Sequence, residues 1–235
     1  MRDLRVASVP EQEFGAAVLE ELRTALLGET DPVIGLPTGR TPIPLYEEMV
    51  RQRFTFPEGS QLFAIDEYCS ATLHAGTNGV FFRRWLPPSA FPPVLLPRHD
   101  ATDADAEVAR YCKRLRATGG LTIAVVGIGA NGHVAFNEPG STEFSSCRVV
   151  QLAESTRAQV ADHWQPEPTH GMTLGMDDIL RARKVIVLAS GPAKAAILAA
   201  ALTGPETPAV PASFLRRHSG LSVVCDSSAA SGLRS

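Results

Sequence analysis

The sequence has no long hydrophobic run, no excess of positive charge and no closely paired cysteines, and each absence removes a class of function. No uninterrupted apolar stretch is long enough to span a bilayer, so no membrane association is expected. After Met1-Arg-Asp-Leu-Arg5 comes the polar Glu11-Gln-Glu13, where a secretory leader would carry its apolar segment. The formal net charge of -3 argues against a nucleic-acid partner, which calls for a basic surface. Cys69, Cys112, Cys147 and Cys225 form no CxxC pair. This spacing reads as four reduced thiols in a cytoplasmic protein rather than a disulfide frame or a zinc site. No repeat, low-complexity tract or linker divides the chain, so one domain over residues 1–235 is expected.

What is present is a recurring apolar run followed by an amphipathic stretch. Hydrophobic residues make up 44% of the chain and charged residues 20%, enough apolar material for a sizeable core. Pro32–Pro37, Gln61–Asp66, Leu121–Val126, Lys184–Ala189 and Leu221–Cys225 read as buried strands. Pro42–Val50, Asp103–Ala117 and Pro192–Leu202 read as helices, the second with Val108, Tyr111, Cys112 and Leu115 along one face. Strands alternating with helices predict a mostly parallel sheet covered on both faces. In such sheets ligands bind beyond the carboxyl ends of the strands. The polar clusters of this sequence fall there.

Each cluster permits a particular chemistry. In Gly35-Leu-Pro-Thr-Gly-Arg-Thr-Pro42 a strand runs into a helix start through Thr38, Gly39, Arg40 and Thr41. Amides exposed at such a start favour an anion, although an ordinary capped helix after a tight turn fits the stretch equally well. It matches neither a Walker A loop nor a dinucleotide GxGxxG. Phe63-Ala-Ile-Asp-Glu-Tyr68 places two acids at a strand end, of which one need face a site; Asp66 is the candidate general base. Gly127-Ile-Gly-Ala-Asn-Gly-His-Val-Ala-Phe-Asn-Glu138 gathers Gly129, Asn131, His133 and Glu138 in one loop. His133 is the group best suited to trade protons near neutral pH, and Glu138 is close enough along the chain to orient it. No second His or Cys stands at ligand spacing, so no metal is expected. In Ser190-Gly-Pro-Ala-Lys194 the lysine falls in the first turn of a helix, where the macrodipole disfavours a cation unless an anion lies beside it.

These segments together resemble the glucosamine-6-phosphate deaminase (isomerase) family, within the wider group that holds 6-phosphogluconolactonases and ribose-5-phosphate isomerases. The resemblance covers nearly the whole chain and also includes Thr173-Leu-Gly175, Ile179-Leu180 and Pro211–His218. Asp66-Glu-Tyr68 and Gly132-His-Val-Ala-Phe-Asn-Glu-Pro139 are its most specific parts. It implies a single-domain Rossmann-like α/β fold and an aldose–ketose isomerisation with loss of ammonia. D-Glucosamine 6-phosphate and water would give D-fructose 6-phosphate and ammonium, with no cofactor. It further implies Asp66 as the base acting between C2 and C1. His133 would assist ring opening with Glu138 and Asn131 behind it, and the phosphate would rest on Thr38–Thr41, Gly129 and Lys194. The partner is then a phosphorylated amino sugar, bound by a monomer or a homo-oligomer.

The chain departs from the family pattern at four places. Asn131 stands where many members carry Asp, Arg40 where the loop usually has a small residue, and Asn78-Gly79 where Ser-Tyr is usual. Asp162 stands where the family has an arginine that binds phosphate. Arg40 motivates a second reading, a lactonase-like hydrolase. Asn131, Asp162 and Asn78-Gly79 motivate a third, a sugar-phosphate sensor without catalysis.

Overall fold

The computed structural model describes residues 4–71, 74, 76–158, 160, 164 and 166–233. In chain order the elements are β1 (Arg5–Val9), α1 (Phe14–Leu26), β2 (Val33–Leu36), α2 (Ile43–Arg51), β3 (Gln61–Ala64), β4 (Asp66–Tyr68), α3 (Asn78–Trp85), β5 (Val94–Leu95) and α4 (Ala104–Ala117). They continue with β6 (Ile123–Gly127), β7 (Arg148–Gln151), α5 (Glu154–Ala158), β8 (His170–Thr173), α6 (Met176–Leu180), β9 (Lys184–Ala189), α7 (Ala195–Thr203) and β10 (Leu221–Asp226).

Seven strands form one sheet in the order β1-β10-β9-β6-β2-β3-β5, and every pairing in it is parallel. Side chains alternate across a strand, so each buried run feeds two cores. Ile34, Leu62, Val125 and Leu188 point into the layer made by α1, α2 and α3. Val33, Phe63, Val126 and Val187 point into the layer made by α4, α6 and α7. Burial on both faces is why these strands read as continuous apolar runs without polar alternation. The Asp103 side chain accepts the Ala106 amide and so starts α4 one residue later than the sequence reading has it.

Two expectations need correction. Gln61–Asp66 is not a single strand. β3 ends at Ala64, and after Ile65 the chain enters a second, three-stranded antiparallel sheet of order β4-β8-β7, in which Asp66 pairs with Thr173. Ile65 joins the two sheets: its amide donates to Leu36 of the main sheet and its carbonyl accepts the Leu174 amide. The cysteines are not all apart either, because Cys112 and Cys147 face one another with Cα atoms 6.4 Å apart, while Cys69 and Cys225 stand alone. Packing of α4 against β7 brings the two together across 35 positions, a proximity that local spacing does not encode. Asp162, singled out in the sequence, lies outside the described residues.

Candidate active site

The carboxyl ends of β2, β6 and β9, the start of β4 and the first turns after them enclose a cleft of about 380 Å³. Thr38, Gly39, Arg40, Thr41, Asp66, Gly129, His133 and Lys194 all line it. Asn131 and Glu138 do not reach the cleft wall; they stand behind His133. The first turn after β9 is a tight helical turn over Pro192–Lys194, and α7 begins one residue beyond Lys194. Asp226 at the end of β10 holds that turn by accepting from Ser190 Oγ at 2.8 Å and Gly191 N at 2.7 Å.

Asp66 is buried, and among the described residues its carboxylate accepts one side-chain hydrogen bond, from Asn78 Nδ2 at 2.7 Å. Burial, together with the charge of Glu67 alongside, pushes it up to about 7, against the pull of Asn78. Glu67 points away from Asp66 into the start of α3. There it accepts the amides of Asn78 at 2.9 Å and Gly79 at 3.0 Å, and burial pushes it up to about 7 as well. Of the two acids only Asp66 opens on the cleft.

His133 rests on a loop that needs its glycines. Gly132 has φ +85°, and a side chain at Gly129 would overlap the His133 ring. The His133 amide donates to Asn131 Oδ1 at 3.1 Å. Its Nδ1 stands 3.3 Å from Glu138 Oε2, within ion-pair reach but off the line of a hydrogen bond. Glu138 also accepts from Asn131 Nδ2 at 2.8 Å and from Thr156 Oγ1 at 2.5 Å. Burial works to raise this carboxyl, but His133, Thr156 and Asn131 outweigh it and hold it at about 2. Arg148 secures the rest of the loop through Asn137 Oδ1 at 3.0 Å and Ser141 Oγ at 2.9 Å.

Arg40, Arg84 and Lys194 bring three cations to this cleft, and among the described residues none has a carboxylate partner. Burial holds Lys194 below its ordinary value. Unpaired cations gathered with the amides of a helix-opening loop suit an anion. Tyr68 and Phe136, with ring centroids 4.9 Å apart, supply an apolar wall, and Trp164 packs edge-on behind Tyr68 at 5.3 Å. Sequence reasoning missed Arg84 and Thr156. Arg84 lies within Arg83-Arg84 of a helix whose direction only the fold reveals, and Thr156 is one hydroxyl in a short polar helix.

A buried carboxyl, an imidazole with a carboxylate beside it and a cationic rim around one small cleft define a class of α/β protein suited to holding a small anionic molecule. The model of glucosamine-6-phosphate isomerases/6-phosphogluconolactonases matches residues 8–224, and the chain belongs to that family. A glucosamine-6-phosphate deaminase of Exiguobacterium is 35% identical over 215 residues, covering 89% of this chain and 84% of the relative. One from Lactobacillus johnsonii is 35% identical over 226 residues, covering 94% and 93%. A solved monomeric glucosamine-6-phosphate deaminase superposes with a TM-score of 0.87 at 28% identity, covering 97% of this chain and all of that one. A 6-phosphogluconolactonase from Trypanosoma cruzi superposes at 0.80 with 18% identity, over 99% and 98% of the two chains, and shares the fold alone.

Proposed function

We propose that the protein converts D-glucosamine 6-phosphate and water to D-fructose 6-phosphate and ammonium. The observation that carries this reading is the placement of two acids in one site: Asp66 lies buried on the cleft wall, where burial raises it, and Glu138 lies behind His133, where its donors hold it down. The deaminase name of the relatives supports the substrate.

The amides of the Gly39–Thr41 loop, Arg40 and Lys194 hold the phosphate, and the sugar lies toward Tyr68 and Phe136. With Nδ1 turned to Glu138, His133 offers Nε2 to the cleft. There it passes a proton to the ring oxygen as the bond to C1 breaks, and takes in exchange the proton of the C1 hydroxyl, which becomes the aldehyde. Glu138 remains ionised throughout and supplies the counter-charge to an imidazolium. Asp66 as carboxylate then takes the proton from C2, and the electron pair moves to form the C1–C2 double bond as the aldehyde oxygen takes a proton from His133. Returning the proton to C1 leaves an iminium at C2, which water converts to the ketone with release of ammonium. A base poised near the working pH suits this transfer. A cytoplasmic location belongs to the same reading, since a charged sugar phosphate does not cross a bilayer unaided.

The test is ammonia release from glucosamine 6-phosphate beside hydrolysis of 6-phosphogluconolactone. Ammonia with the first and no turnover of the second is expected; the reverse pattern overturns the reading. Because Asp66 acts as carboxylate, kcat/KM should rise with pH through about 7. A profile flat from pH 5.5 to 8.5 would remove it as the base.

A further inference from the structure

We propose that Asn78 is the residue that positions Asp66, and that the Thr38 hydroxyl serves this amide instead of the phosphate. The inference rests on the deaminase reading and revises its account of the phosphate loop.

Asn78 is fully enclosed, at 2% exposure, although it is the first residue of α3. Its Nδ2 donates both protons to Asp66, one to Oδ1 at 2.7 Å and one to the backbone carbonyl at 2.9 Å. Two acceptors on one side fix which end of the amide faces Asp66, so Oδ1 turns the other way and accepts from Thr38 Oγ1 at 3.0 Å. The backbone cannot slip, because Glu67 accepts the Asn78 and Gly79 amides. A hydroxyl has one proton to give. Thr38 spends it on Asn78 and presents only lone pairs to the cleft, where they repel a phosphate dianion. Phosphate is then left to the amides of the following loop and to the cations. The chain Thr38–Asn78–Asp66 joins β2, α3 and β4, and so ties the anion loop to the base.

Groups facing Asp66 are Glu67 beside it, Tyr68 on the same strand, Tyr46 from α2 and Tyr111 from α4. His133, Arg40, Arg84 and Lys194 face it across the cleft. Burial raises all three tyrosines, so they stay neutral in the range that matters. Glu67 titrates in the same range as Asp66 and must be separated from it.

The experiment compares wild type with Asn78→Ala, Asn78→Asp and Thr38→Val in steady-state turnover of glucosamine 6-phosphate from pH 5.5 to 9. A carboxyl-13C label in aspartate alone follows Asp66 by NMR and leaves Glu67 silent. Losing a hydrogen bond to a carboxylate should lower kcat about 10- to 100-fold in Asn78→Ala and move the acid limb of kcat/KM up by about one pH unit. Thr38→Val should lower kcat less, move the limb the same way and leave KM within about twofold. A Thr38→Val variant with KM raised tenfold and kcat and limb unmoved makes Thr38 a phosphate ligand and overturns the proposal. So does an Asn78→Ala variant whose limb stays in place. If the Asn78 variants do not fold, the near-isosteric Thr38→Val decides. Should wild type release no ammonia, the substrate reading fails on its own. The Asp66 resonance still decides the network: titration at higher pH in the variants sustains it, and unchanged titration refutes it.

Discussion

Asp66 and Glu138 belong to one site, yet their surroundings drive them in opposite directions. Among the described residues Asp66 has one side-chain donor, and a like charge stands next to it, so burial wins and the carboxyl rises to about 7. Glu138 is less deeply buried, and two side-chain donors and an adjacent imidazole reverse the sign and hold it at about 2. The difference lies in the number of donors aimed at each carboxylate, not in depth alone. A group near 7 can take and return a proton; a group near 2 can only supply charge. The proposed division of labour between base and orienter therefore rests on hydrogen bonds.

The comparison breaks most sharply at Asp66. Asp66→Asn removes the proposed base and should cut kcat about 10²- to 10⁴-fold, with C2 proton exchange into solvent lost while phosphosugar binding persists. Unchanged exchange would dismiss the base assignment. The same variant tests the cost of burial. Because the folded value lies above the ordinary one, the folded state holds more protons than the unfolded chain between about pH 4 and 7, and the Asp66 contribution to stability falls as pH rises through that window. Asp66→Asn should thus be more stable than wild type at pH 8 by on the order of 2 kcal/mol, and the difference should vanish near pH 4. Denaturant unfolding at the two pH values measures it.

Glu138→Gln keeps the shape and deletes the counter-charge. A kcat loss of about 10- to 100-fold with KM little changed is expected, and equal kcat would show that His133 works without the acid behind it. Lys194→Ala should raise KM for the phosphorylated sugar about tenfold and leave kcat nearly intact. Arg84→Ala, at the exposed mouth of the cleft, should raise KM by a few-fold at most, an effect that fades with added salt. An Arg84 effect larger than that of Lys194 would move the phosphate toward α3.

How much of this was legible varies with the range of the contacts. The buried runs at 33–36, 123–127, 184–189 and 221–226 declare themselves, because a strand covered on both faces admits little besides apolar residues. Eight of the ten residues singled out in the sequence meet at the cleft, because loops that follow parallel strands share one edge of the sheet. Strands β1, β5, β7 and β8 and helices α1, α3, α5 and α6 went unread. The first is an edge strand, and β5 is two residues long. β7 and β8 belong to the small antiparallel sheet, whose strands are short and partly exposed.

The sequence by itself determined the alternation of strand and helix, the clusters at the strand ends and the family, because hydrophobic periodicity and short motifs are local properties of a chain. Only the tertiary structure decided that Asn78 bridges Thr38 and Asp66, that Thr156 reaches Glu138, that Arg84 enters the cleft and that Cys112 meets Cys147. Each of those contacts joins separate elements of the fold. The strength of a hydrogen bond or a charge depends on distance in space and on exclusion of water, neither of which neighbouring residues in a sequence record.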